Sequence, residues 1–317
     1  MQANFYKASG KFQPIFFVYY VLALIIAMPI LAVVYSYLIR YVPIVYLNVL
    51  TAIFGGAGVG LAVGYAAKLG KARNPMLVSA LAMFAVIVFK YIQWAVYLPI
   101  IFTDWPILDR FVESAWLLIE PGVIWDGIRV LNEFGAWTLS EGSGTINGWM
   151  LSIVWAIEML LIFGGAVVIA HTFASTPFSE EQGGWYQQMD TKVHTDRPDN
   201  VAVLKEQLNQ GNLTGLKELT AKGQENLEEF LTLSFMQAPE ESFTEPYYLT
   251  VSERKVEGKR KRSGKRKKGN SNTNNLVTHL AIDRQTLNEL KAAPTVAQVT
   301  YSYDETQTGD KTEETTE

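Results

Sequence analysis

Four long apolar runs, Pro14–Tyr41, Ile44–Ala67, Met76–Thr103 and Gly148–Ala174, constrain this chain more than any other feature. Each reaches the ~20 residues that a helix needs to cross a bilayer core. Residues 1–174 are therefore expected to form a membrane all-α bundle of four transmembrane helices, and the polar remainder a small cytosolic α+β domain over 175–303. From Asp304 to Glu317 the chain is acidic and Thr-rich, a composition that cannot bury a core and predicts disorder. Lys7 and Lys11 precede the first run as a signal peptide's charged start would, but that run is far longer than the ~7–15 residues of a signal core and is read as a retained helix.

Charge sets the expected orientation. Lys7 and Lys11 lie before the first run, and Lys68, Lys71 and Arg73 lie between the second and third. The connection Asp104–Asn147 carries seven acidic residues against Arg110 and Arg129. Short basic segments stay on the cytoplasmic side, so both termini are expected there. The layout resembles multi-spanning bacterial membrane proteins in general, which makes a bacterial inner membrane the expected location. Within the outer connection, Ile107, Leu108, Phe111, Val112 and Ala115 recur at helical spacing, and Pro121-Gly122 starts a second stripe through Ile124, Ile128 and Leu131. These predict two short interfacial helices, lying in lipid or capping the bundle.

In the polar part, Asn200 is placed to cap a helical stretch that Gly211 and Gly215 divide in two. Strands are expected over Glu229–Met236, Tyr247–Val256 and Asn275–Ile282, followed by a short helix capped by Asp283.

Several residues invite a functional reading. Lys90 and Glu158 are charged residues deep in the third and fourth runs; each lies 15 residues from the cytoplasmic end of its run. At ~1.5 Å per residue both sit ~22 Å from that end, so they can meet. An isolated charge at such depth costs at least ~2.5–3.5 kcal/mol, which favours pairing. The pair is read first as a structural device fixing helix register, with an ion or proton relay as its other possible role; Gln93 extends the polar patch. Gly56, Gly60 and Gly64 fall on one face of the second helix, and Gly165 lies seven residues from Glu158 on the fourth. Faces without side chains let backbones approach closely, either between helices of one chain or between copies of it. Pro29 removes a backbone donor from the first helix and predicts a kink.

The basic stretch of the polar part contains Arg254, Lys255, Lys259, Arg260, Lys261, Arg262, Lys265, Arg266, Lys267 and Lys268 and reads as a hairpin tip. On a membrane-tethered domain it would attract anionic lipid. Nucleic acid is the weaker partner, because no aromatic residue is interleaved for base stacking and the attraction would be sequence-blind.

With no Cys there is neither a disulfide nor a thiolate site, and the three His are scattered, so neither metal nor cofactor is expected. No nucleophile elbow or phosphate loop is present. The expected function is a non-enzymatic multi-pass membrane scaffold or sensor acting through protein or anionic-lipid contacts. A transporter or channel component using Lys90 and Glu158 is the alternative, and a membrane-tethered enzyme comes third.

Overall fold

The computed structural model describes residues 4–41, 45–104, 106–135, 137–138, 145–222, 229–242, 244–256 and 271–292. The chain forms two compact units, one of residues 7–186 and one that joins residues 1–6 to 187–317. The division thus falls at Tyr186 rather than after Ala174.

In the first unit, four helices are long and apolar enough to cross a membrane: Ile15–Tyr41 (α1), Asn48–Leu69 within the helix Val45–Leu69 (α2), Pro75–Phe102 (α3) and Gly148–Ala174 (α6). Between α3 and α6 lie the shorter helices α4 (Ile107–Leu117) and α5 (Pro121–Phe134), then a two-residue strand pair, β1 (Trp137–Thr138) and β2 (Thr145–Ile146). Helix α1 widens into a π turn over Ala23–Ala27, where the Met28 N–H donates to the Ala23 carbonyl. Pro29 lacks an N–H and its ring crowds the Ile25 carbonyl, and the wider turn just before it accommodates both.

Small residues let these helices lie close. Ala52, Val59, Val63, Ala82, Ala85, Ala166 and Ala170 are buried in one cluster with Phe16, Met28 and Phe89. Leu117 of α4 and Ile124 of α5 pack with Ala95 and Leu98 of α3, so the two short helices do cap the bundle. They also leave Leu108, Val112, Ile119 and Trp125 exposed, an apolar surface suited to lipid. At the opposite end the connections knit together. The Arg73 N–H donates to the Lys11 carbonyl at 2.8 Å, the Gly10 N–H to the Arg73 carbonyl at 3.0 Å, and the Trp185 indole to the Lys68 carbonyl at 2.9 Å. After α6 comes a second small strand pair, β3 (Phe178–Ser179) and β4 (Gly184–Trp185). Arg73 stacks on the Phe178 ring at 4.3 Å and pairs with Glu180 at 3.3 Å.

The second unit is an antiparallel meander of β5 (Gln187–Asp196), β6 (Glu229–Gln237), β7 (Tyr247–Val256) and β8 (Ser271–Ile282), in that order. Helices α7 (Val201–Asn209) and α8 (Thr214–Lys222) connect β5 to β6, and α9 (Arg284–Lys291) follows β8. Alternation puts Leu231, Leu233 and Phe235 of β6 and Leu249 and Val251 of β7 on one buried face. Leu204, Leu208, Leu216, Leu287 and Leu290 of the helices cover it. The caps are side-chain oxygens: Asn200 accepts from the Val203 N–H at 3.2 Å and Asp283 from the Thr286 N–H at 2.7 Å. The outer edge of β8 is partly paired by the start of the chain, with the Ala281 N–H donating to the Asn4 carbonyl and the Tyr6 N–H to the His279 carbonyl.

Candidate functional site

Three helices send one polar side chain each to a single point in the spanning unit. Lys90 Nζ of α3 donates to Glu158 Oε1 of α6 at 2.8 Å, and the Tyr35 hydroxyl of α1 donates to the same oxygen at 2.7 Å. The Lys90 and Glu158 side chains are 11% and 19% exposed, so little water screens them. Lys90 Nζ also stands 5.4 Å over the Tyr35 ring and 5.6 Å over the Trp94 ring. An ammonium above an aromatic face gains electrostatic attraction that grows as water is excluded.

Glycine makes room for this arrangement. A Cβ on Gly55 would stand 2.9 Å from the Tyr35 ring, so only a residue without a side chain lets the phenol lie there. Phe89 holds the other side of that ring edge-on at 5.4 Å. The Ser36 hydroxyl, next along α1, donates to the Gln93 carbonyl at 3.3 Å.

Gln93 lies one turn beyond Lys90 and is 2% exposed, and its Oε1 is buried without a hydrogen-bond partner. Asn48 Oδ1 of α2 is in the same state. Both residues, with Lys90 and Glu158, line a cavity of about 250 Å³ whose walls include Trp94, Trp155 and Tyr97. Trp94 and Trp155 meet edge to face at 5.2 Å.

The remaining glycines set the spacing between α2 and α6. A Cβ on Gly56 would fall 2.5 Å from the Ile162 carbonyl oxygen, and one on Gly60 2.7 Å from that of Ala166. On Gly64 it would meet the Phe173 ring at 2.7 Å, while Gly165 of α6 lies against Gly56 and Ala57. The glycine face is thus filled within the chain, and a second copy cannot use it while α6 occupies it.

Of the basic stretch, Arg254 and Lys255 close β7. Arg254 is exposed, and Lys255 pairs with Glu229 at 2.8 Å. Lys259, Arg260, Lys261, Arg262, Lys265, Arg266, Lys267 and Lys268 lie outside the described residues, as does the acidic tail. Beside Arg254, His194 shares a hydrogen bond with the Thr232 hydroxyl. Burial, then the charges of Arg254 and Lys192, hold its pKa below the usual imidazole value.

Tyr35, Trp94, Trp155 and Tyr97 complete the polar site, and sequence reasoning passed over them. Their signal was available: a phenol and two indoles away from the ends of apolar runs need hydrogen-bond partners or a polar neighbour. The chain matches no protein-family model, no curated protein and no solved structure.

Proposed function

We propose that the protein is a multi-pass membrane scaffold or sensor, set in a bacterial inner membrane with both termini in the cytoplasm, whose α+β unit acts through protein or anionic-lipid contacts. The observation that supports this reading most is the sharing of Glu158 Oε1 by Lys90 and Tyr35. A charge satisfied by two donors of its own chain fixes helix register, whereas a relay needs groups that exchange partners. The soluble unit then supplies the working surface, with the basic stretch from Arg254 to Lys268 as its contact with anionic lipid.

The test uses the full chain in nanodiscs of neutral lipid, offered vesicles containing phosphatidylserine. Cosedimentation is expected at 0.1 M salt and should vanish near 1 M, as the screening length falls from ~10 Å to ~3 Å. Neutralising Lys259–Arg262 and Lys265–Lys268 should abolish it, and a DNA duplex at matched salt should bind more weakly. Absence of vesicle binding at low salt would remove the lipid contact from the reading.

A second reading, a transporter or channel component, is favoured by the cavity that reaches the charge pair. It requires proton-dependent flux in proteoliposomes, lost in Glu158→Gln while the fold persists.

A further inference from the structure

The close glycine contacts between α2 and α6 run from Gly56 to Gly64. Before Gly56, α2 presents Asn48, Val49 and Ala52, and α6 presents Ile157 and Glu158 to the same space. There the two helices part around the 250 Å³ cavity. Two of its lining residues mark a mouth: Val49 is 44% and Ile157 53% exposed, both on the outer surface of the long helices. In a spanning bundle that surface meets lipid, so the cavity opens to the bilayer.

What the cavity would hold follows from its walls. Lys90 and Glu158 neutralise each other, and Lys90 lies 12 residues before the end of α3, so an extra charge ~18 Å inside the span would stand uncompensated. The occupant is therefore neutral. Gln93 Oε1 and Asn48 Oδ1 are buried acceptors without partners, so it carries O–H or N–H donors. Trp94, Trp155 and Tyr97 offer aromatic walls, which favour a flat ring. Benzene occupies an engineered cavity of about 150 Å³, so the larger volume here accommodates a substituted ring. A tail leaving between Val49 and Ile157 would remain in lipid.

We propose that this cavity is a binding site for the aromatic head of a neutral, alkyl-tailed phenol dissolved in the membrane, a chemical class that includes lipid-soluble quinols. The hydroxyls donate to Gln93 and Asn48, the ring lies among the tryptophans, and the site is independent of the scaffold reading.

The probe is 4-hexylresorcinol, compared with its dimethyl ether, which keeps ring and tail but cannot donate. Added to the purified full chain in detergent, the phenol should raise the midpoint of thermal unfolding saturably. The ether should bind at least tenfold more weakly, because it leaves both buried acceptors unsatisfied. Gln93→Leu should weaken phenol binding at least tenfold. Val49→Trp changes only an exposed position and should block the mouth, which keeps the test open if Gln93→Leu does not fold. Equal binding of phenol and ether, no saturable shift, or a shift undiminished in the folded variants would overturn the site and leave simple partition into detergent.

Discussion

Lys90 and Tyr35 both donate to Glu158 Oε1, so each single substitution there strands a polar group in a place without water. Lys90→Met or Glu158→Gln alone should cost about 3–5 kcal/mol, the range for breaking a buried pair. The double variant should recover part of that loss, with a coupling of about 0.5–3 kcal/mol in a double-mutant cycle measured by denaturant unfolding in mixed micelles. Additive losses would mean that the pair carries no net coupling. Tyr35→Phe should cost less, about 1.5–3 kcal/mol, as for one hydrogen bond to a charged group, and much less in a Glu158→Gln background. The two charges were legible as partners because rise per residue fixes depth, and equal depth on opposed helices makes contact possible. Tyr35 was not, since depth says nothing about azimuth, and a Tyr in an apolar run looks like any other amphipathic ring. Gln93 and Asn48 illustrate the same limit: sequence marks them as polar, but only the packing leaves their oxygens without partners.

The elements divide by how much of their signal is periodic. The glycines of α2, four residues apart, announce a flat helix face, and the close approach to Ile162 and Ala166 turns that pattern into a stability claim. Gly56→Ala should destabilise the spanning unit by about 1–3 kcal/mol, as overpacking does. Gly164→Ala should be neutral or slightly stabilising, because a Cβ there meets nothing within 4 Å. Thermal unfolding of the two variants side by side checks the contrast, and equal tolerance would show that α2 and α6 can move apart at no cost. Strand β5 was illegible for the converse reason. Its sequence, QQMDTKVHTD, buries only Val193 and Thr195, as an edge strand with charges along it can. The pairing of Asn4 and Tyr6 with β8 is backbone bonding, which side-chain patterns do not report. The spacings Ser179/Gln182 and Ala238/Glu241 have a zinc-knuckle look on paper. In the fold, Ser179 Oγ simply accepts from the Gln182 N–H in a tight turn, and Ala238 belongs to the other unit.

At the scale of the molecule, hydropathy alone separates four potential spans from the polar remainder, but not where one unit ends. The chain begins in the α+β unit, passes through the helical unit and returns, so that residues 4–6 and β8 bracket everything between them. Within the helical unit, the segments around Lys11, Arg73 and Trp185 are tied together at one end, while α4 and α5 cap the other. This arrangement fits an even number of crossings, with the basic connections on one side and the acidic connection on the other. Reporter fusions after Glu317 and near Ser143, read in intact cells, test this most directly. The account predicts a cytoplasmic signal after Glu317 and an extracytoplasmic one near Ser143; both reporters on the same side, or the reverse assignment, would contradict it.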